Sequence, residues 1–461
     1  MTEEGPLEEE LILRLSELLM TDPDEQAVAS MMEEINSTPL DTGLYLRLGD
    51  LLRDNCKIEQ AITEYKAAAR LQPDDPEPPI RLGDLYTDVE AGGKAMAEYS
   101  RVMAMTSDPG ALRRIVSGVC FSGGNNDYEK LWKKYHSGSF DWNFLHGFMN
   151  LEQDPGLAGV YFNKAIDIDK SSPLGHVGLG LFQVCKEKKE DAVKSFRTAI
   201  ELDPQDPLAH LFLGLMMEDT SGLEQAIDHY RQAVSVRPYL FRAQFLVGEA
   251  ERMMRNHDAA LEAYEKALKL NPEHPEGHLS IGLLYHTMRN MNLAEHHLRL
   301  AIKHDRESAA PHYHLGNILH ELGKDGEAEE EFGCAYYKES KNPKANYQRG
   351  RFLRETDNKG MGRFYLNQAF ELCSPDKIPS RYVLALARAQ EEDRLFIQDA
   401  LQTFKKGVEA NRNDSGLFFA FGSYLERQSD FNGAALKYRR AVELDGKNKQ
   451  YVEALQRVLR R

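Results

Sequence analysis

The chain has 461 residues, of which 42% are hydrophobic and 28% charged, a composition typical of a water-soluble protein. Its net charge of −16 argues against a nucleic-acid-binding role, because affinity for a duplex depends largely on neutralising phosphates. The sequence contains no run of 18 apolar residues, so it predicts no membrane span. Five scattered cysteines without a Cys-x-x-Cys pair and an acidic start unlike a signal peptide lead us to expect a cytoplasmic protein.

The first 40 residues are strongly acidic, with eleven acids and a single base, Arg14. Apolar spacing predicts helices over residues 7–20 and 24–35, so we expect residues 1–40 to form a divergent helical hairpin or cap. An acidic surface of this kind could dock on a basic partner, but a solvated helix face is its commoner meaning.

Beyond this segment, small residues recur at a constant interval. Glycines are spaced by 34 residues at Gly180, Gly214, Gly248, Gly282, Gly316 and Gly350. Sixteen residues after each glycine stands a bulky residue, and nineteen after it stands an alanine. Small residues let two helices approach closely, and large ones fill the gap between them. Each unit therefore predicts a helix–turn–helix hairpin, which must stack on its neighbours to bury its apolar face.

The pattern resembles the tetratricopeptide repeat, a motif with Leu-Gly, a small residue, an aromatic residue, another alanine and a closing proline. One unit matches it at Leu213, Gly214, Ala226, Tyr230, Ala233 and Pro238. The resemblance implies an all-α, right-handed solenoid of about 12–13 stacked hairpins.

The repeat register also divides the chain. Residues 41–107 hold tetratricopeptide repeats, residues 141–375 a continuous array, and residues 413–461 a last repeat with a C-terminal capping helix. Residues 108–140 and 376–412 keep only part of the motif. We expect these two stretches to be degenerate repeats, which more often mark a kink or a weaker joint than a separate domain.

Motifs for phosphate, dinucleotide or zinc binding and for a nucleophilic serine are absent from the sequence, so we expect no enzymatic activity, no cofactor and no metal. Histidines crowd into two adjacent repeats. His210, His278 and His312 share a position where a large side chain packs between helices, and we interpret them as packed imidazoles. His286 and His320 share another column and should lie one above the other.

The resemblance implies a concave groove lined by five positions of each first helix. We predict that this groove binds a partner and changes from apolar, through aromatic and polar, to basic. Its predicted residues are Leu208, Leu211, Phe212, Leu215, Phe245, Leu246, Arg252, Leu279, Leu283, His286, Tyr313, His314, Asn317, His320, Lys344, Tyr347, Arg351 and Arg354. A long exposed apolar stripe usually marks an interaction site. The alternative is that its leucines pack on neighbouring units.

Three functions stay open at this point. The preferred one is a non-catalytic adaptor that holds a helix or peptide segment of another protein, with the acidic end of that segment near Arg351 and Arg354. The second is a structural scaffold in a multiprotein assembly, which self-associates as a homo-oligomer through its ends or its apolar stripe. The third is an enzyme or metal protein that uses the histidine-rich units.

Overall fold

The computed structural model describes residues 23–121, 137–220 and 222–460. The described residues form 25 α-helices and one short 3-10 helix, and they contain no β-strand. The predicted all-α solenoid of helix hairpins is thereby confirmed. The helix predicted over residues 7–20 lies outside the described residues, as do residues 122–136 of the first degenerate stretch. The chain divides into two compact units, residues 1–280 and 281–461.

The first unit consists of consecutive antiparallel helix pairs. Its described helices are α1 (Pro23–Ser37), α2 (Thr42–Asp54), α3 (Ile58–Leu71), α4 (Glu77–Asp88), α5 (Gly92–Met105), α6 (Pro109–Phe121), α7 (Phe140–Met149), α8 (Pro155–Ile168), α9 (Pro173–Cys185), α10 (Lys189–Leu202), α11 (Pro207–Thr220), α12 (Leu223–Val236), α13 (Phe241–Met253) and α14 (His257–Leu270). The boundary with the second unit falls inside α15 (Pro275–Thr287).

The second unit continues the same arrangement. Its remaining helices are α16 (Met291–His304), α17 (Ala310–Glu321), α18 (Asp325–Lys338), α19 (Pro343–Glu355), α20 (Lys359–Glu371), α21 (Ser380–Glu391), α22 (Ile397–Ala410), α23 (Ser415–Arg427), α24 (Phe431–Leu444) and α25 (Lys449–Leu459), with the 3-10 helix Arg394–Phe396 before α22. Tyr451 and Val458 of α25 are buried in the core of the last repeats.

The small residues of the repeat stand where paired helices cross. A Cβ atom added to Gly214 would lie 2.5 Å from the ring of Tyr230, and one added to Gly248 would lie 2.6 Å from the ring of Tyr264. Both tyrosine rings are fully buried. The glycine therefore makes room for the bulky residue that follows it by sixteen positions, as the sequence pattern predicts.

The second degenerate stretch, residues 376–412, also forms a helix pair, α21 and α22. Here the close approach uses a different glycine: a Cβ added to Gly407, on the second helix, would lie 2.5 Å from Val383 on the first. The pair is also joined by a hydrogen bond of 2.9 Å from the hydroxyl of Thr403 to the side-chain oxygen of Gln390. The motif is lost in this stretch because the small residue has moved to the other helix.

The first unit also makes contacts between repeats that are far apart in sequence. Arg237, which follows α12, donates a hydrogen bond of 2.9 Å to the carboxylate of Asp88 at the end of α4. The side-chain amide of Asn271 donates a bond of 2.8 Å to the backbone carbonyl of Val89. These polar contacts bring the turn after α4 against the segments that follow α12 and α14.

Candidate partner-binding groove

Three of the residues predicted to line the groove are buried in the first unit. Leu211 is 5% exposed, Phe245 4% and Leu246 9%. Leu211 and Leu246 belong to a hydrophobic core shared by successive repeats, and Phe245 stacks on Phe241 with 5.9 Å between ring centroids. The exposed stripe expected from the sequence does not exist at these three positions, because neighbouring helices cover them.

Phe212 shows how part of this face is filled. Its ring stacks on Phe196 at 5.7 Å and also meets Phe121, the last residue of α6, at 6.0 Å. Leu215 packs against the same core, and Leu208 and Leu279 are partly buried. The apolar face of this unit is thus largely covered by the unit's own side chains, which is the alternative to an exposed stripe.

In the second unit, predicted groove residues surround an open cavity of about 540 Å³. It is lined by Leu283, His286, Thr287, His314, Asn317, His320, Glu321, Gln348, Arg351, Phe352 and Glu355. Six of these belong to the predicted set. They come from α15, α17 and α19, the first helices of three consecutive repeats. First helices therefore expose one face here, as the repeat register predicts.

The two histidines of this cavity that share a column are each bonded to a carboxylate on the next first helix. His286 Nε2 lies 3.0 Å from Glu321, and His320 Nε2 lies 3.0 Å from Glu355. The hydrogen bond to Asp325 raises the pKa of His320 above its ordinary value. Burial acts in the opposite direction, but the bond to Glu355 adds to the increase, so the pKa stays raised. Within the described part of the chain, no group of three or more His, Cys, Asp or Glu side chains is arranged to hold a metal.

His314 is neutral in the same cavity. Burial, together with the nearby charges of Lys344 and the imidazole of His286, lowers the pKa of His314 to about 3. Burial and then Arg381 also lower the pKa of Lys344. Lys344 Nζ sits 4.8 Å from the ring centre of Tyr313, which is only 4% exposed. Tyr313 is thus a fourth predicted groove residue that is packed inside the protein.

A second cavity, of about 420 Å³, adjoins the first, and Arg351 and Glu355 line both. Its lining consists of Tyr347, Arg351, Arg354, Glu355, Arg381, Leu384, Ala385 and Arg388. All of these residues lie on α19 and α21. We call this space the arginine pocket.

The sequence prediction missed Glu355 and the whole α21 side of the arginine pocket. Arg381, Leu384, Ala385 and Arg388 stand on one face of α21, at the helical spacing i, i+3, i+4 and i+7. Arg388 also follows Arg354 by 34 residues, so it continues the column that contains His286 and His320. Extending that column through the degenerate repeat would have found it.

Family models match the chain in three places. A tetratricopeptide repeat model matches residues 42–75, a second matches residues 186–243, and a model described as TPR repeat matches residues 256–288. The chain is a tetratricopeptide repeat protein. No curated protein matches it by sequence.

Solved structures of other proteins are similar to this repeat protein at low identity. A crystal structure of MamA is 23% identical, covers 35% of this chain and 95% of its own, and has a TM-score of 0.33. The Cut9-Hcn1 hetero-tetramer structure is 13% identical, covers 99% and 97%, and has a TM-score of 0.49. A tetratricopeptide repeat protein from Parabacteroides merdae is 17% identical, covers 63% and 99%, and has a TM-score of 0.43.

The packed histidines fit the repeat register. His210, His278 and His312 are all buried. The Nε2 atoms of His210 and His278 lie 3.1 and 2.9 Å from the carbonyls of Pro204 and Pro272, the prolines between successive repeats, so the same contact recurs. Their interpretation as packed imidazoles is confirmed.

None of the helices among the described residues is both long and apolar enough to cross a membrane. The tetratricopeptide repeats themselves support a role in protein interaction or scaffolding.

Proposed function

We propose that this repeat protein is an adaptor that holds a helix or peptide segment of a partner protein in the groove of its second unit. The observation that carries the proposal is the pair of adjoining cavities formed by the first helices of successive repeats. Together they offer a surface of graded polarity, from Leu283 at one end to the arginine pocket at the other.

The chemistry of the groove favours an amphipathic segment with an acidic end. The partly buried Leu283 gives the wider cavity apolar surface, and Asn317 and Gln348 give it amide groups for hydrogen bonds to a peptide. Arg351 is exposed at the junction of the two cavities, where it would meet a carboxylate of the partner. Such a charge would act more on encounter rate and orientation than on affinity.

The first unit is assigned a smaller part. Its predicted residues Leu208, Phe212, Leu215, Arg252 and Leu279 are partly buried, and Arg252 is paired with Glu249 in its own helix. We propose that these five side chains contact the partner only through the part of each that is exposed, the four apolar ones through apolar surface and Arg252 through its charge. Leu211, Phe245 and Leu246 are buried in the protein core, so we assign them no contact with the partner.

Affinity capture from the native source with purified wild-type protein and two variants tests the function. Arg351→Glu reverses an exposed groove charge, and Arg439→Glu makes the same change at an exposed position of α24 that lines neither cavity. We expect a partner that is retained by the wild type and by Arg439→Glu and lost from Arg351→Glu. Equal melting temperatures must accompany this result.

Two outcomes would contradict the proposal. A partner retained equally by all three proteins would bind outside this groove. A wild-type protein that retains no partner, and that forms a defined oligomer by mass measurement, would instead support the self-associating scaffold.

A further inference from the structure

We propose that the arginine pocket binds a phosphate monoester on a side chain of the partner protein. This inference rests on the proposed function, because it names the anion that the basic end of the groove would recognise. It depends on the number of arginines, on their partners and on the shape of the space between them.

The pocket holds more positive charge than its own carboxylates neutralise. Arg351 pairs with Glu355 at 3.2 Å, with both side chains nearly half exposed, and Arg354 pairs with Glu392. Arg381 and Arg388 are exposed, and neither forms an ion pair with a carboxylate of the described residues. Four guanidinium groups thus face two carboxylates, which leaves an excess of two positive charges.

A phosphate monoester matches this excess better than a single carboxylate does. It carries close to two negative charges at neutral pH and has three strong acceptor oxygens. A guanidinium group donates two parallel hydrogen bonds to such an anion, and clusters of arginines are a recurrent means of recognising phosphorylated side chains. A carboxylate would leave one of the two unpaired arginines without a counter-charge.

The wall of the pocket fits a side chain that carries the phosphate, rather than the free ion alone. Leu384 and Ala385 stand between Arg381 and Arg388 on α21 and give the pocket an apolar wall. Tyr347 on α19 also lines the pocket, and its ring stacks on Tyr382 with 4.4 Å between centroids. A space of about 420 Å³ with charged and apolar walls accommodates a phosphorylated side chain with its carbon stem.

The aromatic stack also holds one of the arginines in place. The guanidinium carbon of Arg381 lies 5.8 Å from the ring centre of Tyr347 and 5.5 Å from that of Tyr382. This cation–π arrangement restricts the arginine without neutralising its charge. Arg381 is thereby positioned before a ligand arrives, which lowers the entropic cost of binding an anion.

Calorimetric titration with phenyl phosphate at neutral pH tests the pocket directly, and benzenesulfonate serves as a monoanion of similar shape. We expect phenyl phosphate to bind the full-length protein at least about tenfold more tightly than benzenesulfonate. Arg388→Gln should weaken phenyl phosphate binding about tenfold, and the matched change Arg439→Gln should leave it unchanged. Arg388 makes no ion pair among the described residues, so its replacement should not affect melting.

Equal binding of the two anions, or an unchanged affinity in Arg388→Gln, would overturn the phosphate assignment. So would tighter binding of an oligothymidine than of phenyl phosphate, because that result would indicate a nucleic-acid site. Phosphatase treatment of the source extract separates this inference from the proposed function. If a partner is captured only before treatment, the phosphate assignment is supported. If it is captured equally after treatment, the adaptor function stands and the phosphate assignment falls.

Discussion

Arg237 and Asp88 are 149 residues apart in the sequence and joined by a hydrogen bond of 2.9 Å. The side chain of Asp88 is 10% exposed and that of Arg237 is 35% exposed, so the ion pair lies at the edge of the interior. His274 adds a second contact of this kind, with Nε2 at 3.1 Å from Glu90. Repeats normally contact only their neighbours. In the first unit, polar contacts between distant repeats supplement that stacking.

Removing the arginine should therefore destabilise the protein. Arg237→Ala leaves Asp88 buried without its partner, and we expect a loss of about 2 kcal/mol in the free energy of unfolding. This loss is smaller than the roughly 3–5 kcal/mol that follows from removing one partner of a fully buried ion pair, because Arg237 keeps some contact with water. Urea unfolding measures the loss. Lys406→Ala breaks the exposed pair with Glu371 and should cost less than about 0.5 kcal/mol. Equal stability of the two variants would show that the distant contact is dispensable.

A second prediction compares two glycines inside the array. Gly248→Ala would force a Cβ to within 2.6 Å of the buried ring of Tyr264, and it should cost about 1–3 kcal/mol through overpacking. Gly333 lies within α18, and a Cβ added there meets no atom within 4 Å. Gly333→Ala should therefore stabilise by about 0.5–1 kcal/mol, because alanine is the better helix former. Thermal melting of both variants against the wild type tests this. Shifts of the same sign would mean that the close crossing is not a constraint.

Asp84 predicts a dependence of stability on pH. Burial is the largest influence and raises the pKa of Asp84 to about 6, although the hydroxyl of Tyr99 donates a bond of 2.9 Å to it. Between pH 4 and 6 the folded protein holds a proton that the unfolded chain has released, so this group's contribution to stability falls as pH rises through that window. The free energy difference between the wild type and Asp84→Asn should change by about 2–3 kcal/mol from pH 4 to pH 7, in favour of the variant at the higher pH.

Urea unfolding of both proteins at several pH values provides the measurement. Asp376→Asn changes an exposed carboxylate and should follow the wild type throughout. A constant difference between the wild type and Asp84→Asn across the range would show that Asp84 is ionised in the folded protein at acidic pH.

The helix pairs were predictable because their constraint is local. A glycine and the bulky residue sixteen positions later fit together in the regular hairpins, as Gly214 and Tyr230 do, and this requirement leaves a period in the sequence. The degenerate stretch 376–412 lacks the repeat glycine on its first helix, because Gly407 on the second helix is the small residue at the crossing. Because the motif is lost there, the column was not extended into this stretch, and Arg381 and Arg388 were missed.

The groove was only partly predictable for a different reason. The register indicates which side chains point away from the second helices, but it does not indicate what else packs on them. Phe121 contacts Phe212 although the two residues are 91 positions apart in the sequence. A repeat period of 34 residues does not predict such a contact. In the second unit, by contrast, predicted residues such as His286 and His320 line an open cavity, because the face of their first helices is not filled.

This difference gives a final prediction about two aspartate substitutions. Phe212→Asp places a charge between Phe196 and Phe121 and should cost about 3 kcal/mol, since it removes a partly buried ring from this contact and adds an unpaired carboxylate. Leu283→Asp places its charge in an open cavity, close to the imidazole of His286, and should cost about 1 kcal/mol.

Melting curves and partner capture of the two variants together distinguish a packing surface from a binding surface. We expect Phe212→Asp to melt early, so that any loss of binding by this variant reflects unfolding. Leu283→Asp should keep the helicity and nearly the melting temperature of the wild type and yet lose the partner, because the apolar end of the groove now carries a charge. If Leu283→Asp unfolds as readily as Phe212→Asp, both faces are internal packing surfaces, and the partner must bind elsewhere on the protein.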